Sequence, residues 1–206
     1  MPRSRLAQVR LVLWIAVLCL AVAIPLGLWL RRPLLSQPDV RIPLPAFQLT
    51  DQRGQGFGLE QLRGKVWVAD FVFTTCPTVC PKLTRRMVEL QEKTQRYGDA
   101  LHLVTFTVDP ENDTPEVLAR YAAENGAAPG RWTFLTGKLG DIETTVVKGF
   151  KVAMGKTDEG GGIMSIFHGE RLVLVDRDGT IRGYYQADDE GMARLLGDLD
   201  ALLGSS

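Results

Sequence analysis

The sequence predicts an α/β domain with a central mixed sheet, covered by helices on both faces and preceded by one transmembrane helix. Three observations support this prediction. Residues 11–30 contain no charged side chain, and from residue 65 onward short β-branched or apolar segments alternate with segments of helical periodicity. Near the C-terminus, two alternating segments flank Asp178-Gly179, which is typical of a hairpin. Strands that alternate with helices form sheets with right-handed crossovers.

Residues 11–30 are expected to cross a membrane, because twenty uncharged residues match the length that a helix needs to span a hydrocarbon core of about 30 Å. Three arginines precede the segment and two follow it, which favours a cytoplasmic N-terminus. A cleaved signal peptide ending near Ala21-Val22-Ala23 is the alternative. A lipoprotein is a weaker one, because no small residue precedes Cys19, which fits an apolar thiol within the helix better. Each alternative places the globular part outside the cytoplasm.

The predicted organisation has four parts. They are a cytoplasmic segment over residues 1–10, a transmembrane anchor over 11–30, a linker over 31–45 and a globular domain over 46–206. The linker holds four prolines and no hydrophobic period, which is typical of a stiff, extended tether. The expected location is the inner membrane, as a single-pass protein with its domain on the periplasmic or extracytoplasmic side.

Charge and cysteine content exclude several function classes. The chain has 24 basic and 24 acidic residues, and after the five arginines before residue 33 it retains 19 basic against 24 acidic. A mildly acidic domain without basic clusters argues against a nucleic-acid ligand. Three cysteines are too few for a disulfide scaffold.

The domain is expected to contain two hairpins, three further strands and four helices. The hairpins cover residues 47–65 and 171–185, and the strands cover 65–73, 101–108 and 131–136. The first helix is expected to begin at Pro81 and the second at Thr114, which has the sequence of an N-cap followed by a first-turn proline. Helical spacing places core-facing residues on the four helices at Leu83, Met87, Leu90 and Thr94, then before Asn125-Gly126, then at Ile142, Val146 and Phe150, and finally at Met192, Leu195, Leu196 and Leu199.

Cys76 and Cys80 directly follow the strand over residues 65–73, at the edge of the sheet where such folds carry their chemistry. Cys80 immediately precedes the expected helix start, so the helix dipole should favour its thiolate. The pair could form a disulfide if its Cα atoms approach within about 7 Å, bind copper, or remain as two inert buried thiols. Two thiolates suit Cu(I), and a third soft or imidazole ligand would also allow Cu(II).

The chain offers two histidines as a third ligand. His102 lies near the start of a strand between leucines, which indicates a satisfied or surface imidazole. His168 follows a glycine-rich loop and precedes the C-terminal hairpin, from where a loop could carry it to the thiols. Met154 and Met164 are reserve ligands, although each is better explained as packing.

Several segments resemble the Sco/SenC (PrrC-like) family of copper-binding proteins, which assist assembly of the CuA site of cytochrome c oxidase. The matching segments are DFVFTTCPTVCPKLT at 70–84, VDPENDTPEVLARY at 108–121, MGK at 154–156 and the histidine before LVLVDRDGTIRGYY. Together they extend from about residue 40 to the C-terminus, and they are far more specific than a C-x-x-x-C pattern alone.

The resemblance implies a thioredoxin-like fold in which Cys76, Cys80 and His168 bind copper. Many family members place an aspartate before this histidine and a serine or threonine after it, where this chain has Phe167 and Gly169. The hydrogen bonding that orients the imidazole is therefore expected to differ. Asp109, in the VDP segment, is expected to support the metal site, face a partner or serve structurally at the end of its strand.

Two functions follow from these residues. The leading hypothesis is a membrane-anchored copper chaperone, a carrier and not an enzyme, that delivers copper to cytochrome c oxidase subunit II. The alternative is a thiol-disulfide oxidoreductase that reduces the CuA-site cysteines or acts in redox signalling. Such oxidoreductases usually carry C-x-x-C, one residue shorter than the spacing here, and give His168 no role. A peroxidase is a third interpretation, suggested by the overall topology and by resemblance to related families, in which the proline-flanked cysteines would be the peroxidatic and resolving pair.

Overall fold

The structure, a computed structural model, describes residues 3–30, 40–153 and 171–204. The chain forms two compact units, Met1–Asp39 and Val40–Ser206. The first contains helix α1 (Arg3–Leu30), on which large apolar side chains such as Leu13 and Trp14 are exposed. Among the described residues, no helix combines the length and the apolar character that a membrane crossing requires. A helix over residues 11–30 is therefore confirmed, but the membrane span predicted there is not found.

The described part of the second unit is built around a mixed sheet of eight strands. In chain order they are β1 (Ile42–Pro43), β2 (Gln48–Asp51), β3 (Gly56–Gly58), β4 (Val66–Val72), β5 (Leu101–Thr107), β6 (Trp132–Thr136), β7 (Arg171–Val175) and β8 (Thr180–Gln186). Their order across the sheet is β1-β8-β7-β4-β5-β6-β2-β3. The central strands β4, β5 and β6 are parallel, and the remaining pairs are antiparallel. The predicted mixed sheet is confirmed, and its strand β1 comes from the segment assigned to the linker.

The helices of this unit connect and cover the strands. They are α2 (Val79–Lys93), α3 (Pro115–Glu124), α4 (Leu139–Glu143) and α5 (Asp189–Leu203), with short 3-10 helices at Leu59–Leu62 and Gln95–Ala100 and a π-helix at Thr144–Gly149. The predicted N-cap of α3 is confirmed, because the side chain of Thr114 accepts a hydrogen bond from the Val117 N–H. Helix α2 begins at Val79, two residues before the predicted start at Pro81.

Helices lie on both faces of the sheet, as predicted. Strand β4 is buried at every position, and alternate residues point to opposite faces. On one face, Phe150 after the π-helix contacts the rings of Trp67 and Phe71, with centroid distances of 5.8 and 5.0 Å. On the other, Tyr121 of α3 packs on Phe134 of β6 with a centroid distance of 6.1 Å. Its hydroxyl lies 2.7 Å from the Oγ1 of Thr84 on α2.

Asp176 and Gly179 form the turn of the C-terminal hairpin. Gly179 has φ of +80°, a left-handed conformation that favours glycine. The carboxylate of Asp176 accepts hydrogen bonds from the N–H groups of Asp178 and Thr180, at 3.1 and 2.9 Å. The Asp178-Gly179 turn predicted from the sequence is thus confirmed, and it returns the chain as β8, which pairs with β7 on the side away from β4.

Candidate metal centre

Cys76 and Cys80 lie where β4 ends and α2 begins, beyond the carboxyl edge of the parallel strands. The N–H of Cys76 donates to the carbonyl of Phe73 at 3.2 Å, which closes a turn directly after the strand. Both cysteines are free thiols, and each is buried, with exposed fractions of 8% and 5%. The segment is therefore a dithiol at the edge of the sheet predicted to carry the chemistry.

The sulfur of Cys76 lies at the N-terminus of α2. Burial acts to raise the pKa of this thiol, but backbone N–H groups of Cys80, Thr78 and Val79 and the Cys80 side chain hydrogen-bond to it, so its pKa is lowered from the ordinary 9.0. The N–H groups of a first helical turn have no partner within the helix and carry the positive end of its dipole. Cys76 is consequently the cysteine that ionises first.

The pKa of the Cys80 thiol is shifted in the opposite direction, upward. Cys80 is the second residue of α2, and burial raises the pKa of its thiol to about 12. The neighbouring charges of Cys76 and Asp70 act in the same direction. The prediction that the helix dipole favours the Cys80 thiolate is wrong, because burial of the Cys80 sulfur raises its pKa, and the N–H groups at the start of the helix hydrogen-bond to the Cys76 sulfur instead.

Asp70 is a buried carboxylate on β4 that sequence reasoning missed. Its Oδ1 accepts a hydrogen bond from the hydroxyl of Thr105 at 2.5 Å, and the indole N–H of Trp132 donates to the same Thr105 oxygen at 2.8 Å. Its Oδ2 has no hydrogen-bond partner among the described residues. Burial raises the pKa of Asp70 to about 7, and the carboxylate in turn helps to raise the pKa of Cys80. An aspartate within an otherwise apolar strand was the available signal.

Asp113 is a second buried carboxylate that the sequence did not single out. It accepts hydrogen bonds from the N–H and the hydroxyl of Thr74, at 3.1 and 2.5 Å, and from the hydroxyl of Thr107 at 2.5 Å. Thr74 precedes Cys76 by two residues, and Thr107 ends β5. No local pattern reveals a contact between side chains separated by 39 positions along the chain.

Asp109 has a structural place at the end of β5. It is buried, its N–H donates to the Thr107 hydroxyl at 3.0 Å, and its carboxylate accepts from the Asn112 amide at 2.7 Å. Of the roles considered for this residue, the described contacts match the structural one at the strand end.

His102 lies at the opposite edge of the sheet from the cysteines, because it pairs with Trp67 near the start of β4. It is buried, its Nε2 lies 2.9 Å from the hydroxyl of Thr133, and its ring stacks on Phe57. The interpretation of His102 as a satisfied imidazole is confirmed. Burial, followed by the charges of Lys65 and Arg131, lowers its pKa to about 4.

The buried neutral His102 is expected to weaken the fold in acid. Its folded pKa of about 4 lies below the ordinary 6.5, so its contribution is fully present above pH 6.5 and is lost as the pH falls through 4. Urea unfolding measures the difference in unfolding free energy between the wild type and His102→Gln. We expect this difference to change by about 2 kcal/mol, to the disadvantage of the wild type, between pH 7 and pH 4.5. A difference that does not change with pH would contradict this assignment.

The remaining predicted ligands lie outside the described residues. These are His168, Met154 and Met164, together with the flanking Phe167 and Gly169. Within the described ranges, no group of three or more histidine, cysteine or acidic side chains is arranged to hold a metal ion. The part of the candidate centre that the structure describes is the Cys76 and Cys80 pair, with the buried carboxyl groups of Asp70 and Asp113 nearby.

Comparison with known protein families matches residues 38–204 to SCO1/SenC. The chain belongs to the SCO1/SenC family. A curated relative, the SCO1 protein homolog of Bacillus subtilis (strain 168), is 38% identical over 136 residues, which cover 66% of this chain and 69% of the relative. The family assignment made from the sequence segments is therefore confirmed.

Solved Sco structures share the fold. One of them is BsSco, a member of the Sco family of cytochrome c oxidase assembly proteins in which a disulfide switch was identified. It is 33% identical with a TM-score of 0.70, and the match covers 81% of this chain and 96% of BsSco. ScoI of Bradyrhizobium japonicum, solved with copper bound, is 26% identical with a TM-score of 0.62, covering 75% and 98%. The domain thus has the α/β fold of Sco proteins, consistent with the thioredoxin-like fold that the resemblance implied.

Proposed function

We propose that this protein carries copper for the assembly of cytochrome c oxidase, with Cys76, Cys80 and His168 as the ligands. The observation that carries the proposal is the dithiol at the N-terminus of α2, in which the Cys76 sulfur accepts hydrogen bonds from helical N–H groups. A copper-bound Sco protein and a Sco oxidase-assembly protein share its fold. Delivery to the CuA site of subunit II is the specific form that we propose.

The chemistry of the pair suits copper as a cargo. Thiolates are the soft ligands that select Cu(I), and an imidazole broadens the site to Cu(II). Metal binding releases thiol protons, and the lowered pKa of Cys76 makes it the first of the two thiols to lose its proton, whereas the Cys80 proton leaves as the metal binds. The asymmetry between the two sulfurs supports a stepwise loading and release of the ion.

We further propose that the N-terminal unit anchors the domain in the inner membrane, with the domain on the extracytoplasmic side. The uncharged residues 11–30 and the exposed apolar side chains of α1, including Leu13 and Trp14, support this arrangement. Exposed apolar surface of this extent is stabilised by lipid or by another apolar surface. A tether to the membrane raises the effective concentration of the domain near an integral oxidase.

A copper titration of the full-length protein in detergent tests the proposal. All variants carry Cys19→Ser, which removes the exposed third thiol. We expect one copper ion per chain, and a loss of affinity of more than about 100-fold in Cys76→Ser and in Cys80→Ser, because removing a ligand exceeds the effect of removing an outer hydrogen-bond partner. His168→Ala should weaken Cu(II) more than Cu(I). Unchanged binding in all three variants would contradict the proposal, and His102→Gln is the matched control.

A thiol-disulfide oxidoreductase is the second candidate, favoured by the unequal pKa values of the two thiols. Disulfide exchange begins with attack by a thiolate, and the lowered pKa of Cys76 favours that form, whereas the raised pKa of Cys80 keeps it as a thiol. Reduction of a protein disulfide by His168→Ala at the wild-type rate, in the absence of copper, would favour this function. A requirement for His168 in oxidase assembly but not in disulfide reduction would favour the copper carrier.

A further inference from the structure

We infer that Asp113 is a positioning residue for the cysteine pair: its carboxylate fixes the segment that leads to Cys76 against the end of β5. This inference rests on the proposed function, because it concerns the same two sulfurs. It adds a residue from a different part of the chain, beyond both cysteines and the loop that carries them.

Asp113 contacts the chain just beyond the point where β4 stops forming backbone hydrogen bonds with its neighbour. The last backbone bond between β4 and the chain after β5 joins the N–H of Val108 to the carbonyl of Val72 at 2.9 Å. Beyond that bond, Thr74 contacts Asp113 through both its N–H and its hydroxyl. The carboxylate therefore extends the attachment of the strand by two residues, toward Cys76.

Cys76 is consequently held from both sides. Thr74 is bound by Asp113 on the N-terminal side, and Val79 begins α2 on the C-terminal side, where Leu83 and Met87 anchor the helix in the core. Between these points Thr75, Pro77 and Thr78 are exposed. A short segment whose two ends are fixed presents its sulfur in a restricted set of positions, which is what convergence on Cys80 and on a metal ion requires.

The same carboxylate ties together three parts of the fold. It accepts from Thr107 at the end of β5, whose hydroxyl oxygen in turn accepts from the N–H of Asp109. Asp113 itself directly precedes Thr114, the N-cap of α3. A buried carboxylate without a cation is costly unless donors surround it, and here the donors come from the cysteine segment and from β5. Removing the carboxylate leaves the Thr74 N–H and two hydroxyls without this acceptor.

The test compares Asp113→Ala, Asp113→Asn and Thr74→Val in the full-length protein carrying Cys19→Ser. Asp51→Ala is the matched control. Asp51 is also a buried carboxylate that organises a turn, accepting from the N–H groups of Arg53 and Gln55, and this turn leads toward the start of β6 at the opposite edge of the sheet. Each variant is measured for melting temperature, copper affinity, the sulfur-to-copper charge-transfer spectrum and the equilibrium of the Cys76–Cys80 disulfide with glutathione.

We expect Asp113→Ala to lower copper affinity by about 10-fold, the low end of the range seen for direct hydrogen-bond partners of metal ligands, because Asp113 acts on Cys76 only through Thr74. The charge-transfer band should also shift. The equilibrium constant for the intramolecular disulfide should fall by about 5-fold, because a freer segment lowers the effective concentration of one thiol at the other. Asp113→Asn keeps an oxygen acceptor for Thr74 and should recover much of both losses. Asp51→Ala should lower the melting temperature and leave both site measurements within about 2-fold.

A folded Asp113→Ala protein with the copper affinity, spectrum and disulfide equilibrium of Asp51→Ala would overturn the inference. If Asp113→Ala does not fold, Thr74→Val decides, since it removes only the hydroxyl donor and should reduce both site measurements by about 3-fold. Absence of copper binding in the wild type would refute the proposed function but leave the disulfide equilibrium as the deciding measurement for Asp113. The failures of the two proposals are therefore distinguishable.

Discussion

At pH 7, iodoacetamide is expected to alkylate Cys76 and to leave Cys80 almost unmodified. The pKa of Cys76 lies below 9.0 and that of Cys80 at about 12. A gap of at least about three units means about 1000-fold more thiolate at Cys76. The more basic thiolate is the stronger nucleophile, which reduces the expected difference in rate to about 30-fold. Mass spectrometry of peptides from the Cys19→Ser protein, quenched at successive times, measures both rates.

The two single-cysteine proteins provide the control for this selectivity. Cys80→Ser should still react quickly, because the backbone N–H groups that lower the pKa of Cys76 remain in place. Cys76→Ser should react slowly, since burial is the largest cause of the raised pKa of Cys80. Equal rates for the two cysteines, or a faster Cys80, would show that the helix N-terminus does not control the reactivity of this pair.

The second large effect concerns Asp70 and the pH dependence of stability. Its folded pKa of about 7 exceeds the ordinary 3.8, so its stabilising contribution is fully present below pH 3.8 and is lost as the pH rises through 7. A shift of about three units corresponds to about 4 kcal/mol. Between pH 5 and pH 8, the unfolding free energy of the wild type should fall by about 3 kcal/mol relative to that of Asp70→Asn.

Urea unfolding of both proteins at fixed ionic strength measures this difference. The wild type alone is not informative, because His102 contributes a pH dependence of the opposite sign between its folded and ordinary values, about 4 and 6.5. The comparison must therefore be made between variants, and His102→Gln combined with Asp70→Asn separates the two groups. A gap between wild type and Asp70→Asn that stays constant from pH 5 to pH 8 would mean that Asp70 is not a protonated acid in the folded protein.

The pattern of elements could be predicted well because each element leaves a local signature. The apolar segment over residues 65–73 gave β4, and Thr114-Pro115 gave the start of α3. The predicted start of α2 lies two residues too late. Proline is tolerated at any position of a first helical turn, so Pro81 indicates that turn without fixing the residue at which it begins. The thiolate predicted at Cys80 is favoured at Cys76 instead, because burial raises the pKa of Cys80, whereas the N–H groups at the start of the helix hydrogen-bond to the Cys76 sulfur.

The supporting carboxylates could not be predicted in the same way. Asp113 acts through Thr74, and this contact depends on two strands ending side by side, which neither segment encodes alone. The raised pKa of Asp70 depends on its complete burial, and in the described part of the chain its Oδ2 has no hydrogen-bond partner. An acidic residue within a buried strand indicates a perturbed carboxyl group, but the residues that surround it in the fold determine its pKa and its hydrogen bonds.

A chain of hydrogen bonds runs from the indole N–H of Trp132 through the Thr105 hydroxyl to Asp70, so the Trp132 indole can report the protonation state of Asp70. When Asp70 loses its proton, the added charge alters the polarisation of the Thr105 hydroxyl, and with it the environment of the indole N–H of Trp132. Trp67 supplies an internal reference, because its indole nitrogen has no hydrogen-bond partner among the described residues. Nuclear magnetic resonance of the indole N–H protons of Trp132 and Trp67 can therefore follow the protonation of Asp70 in the unmodified, folded protein.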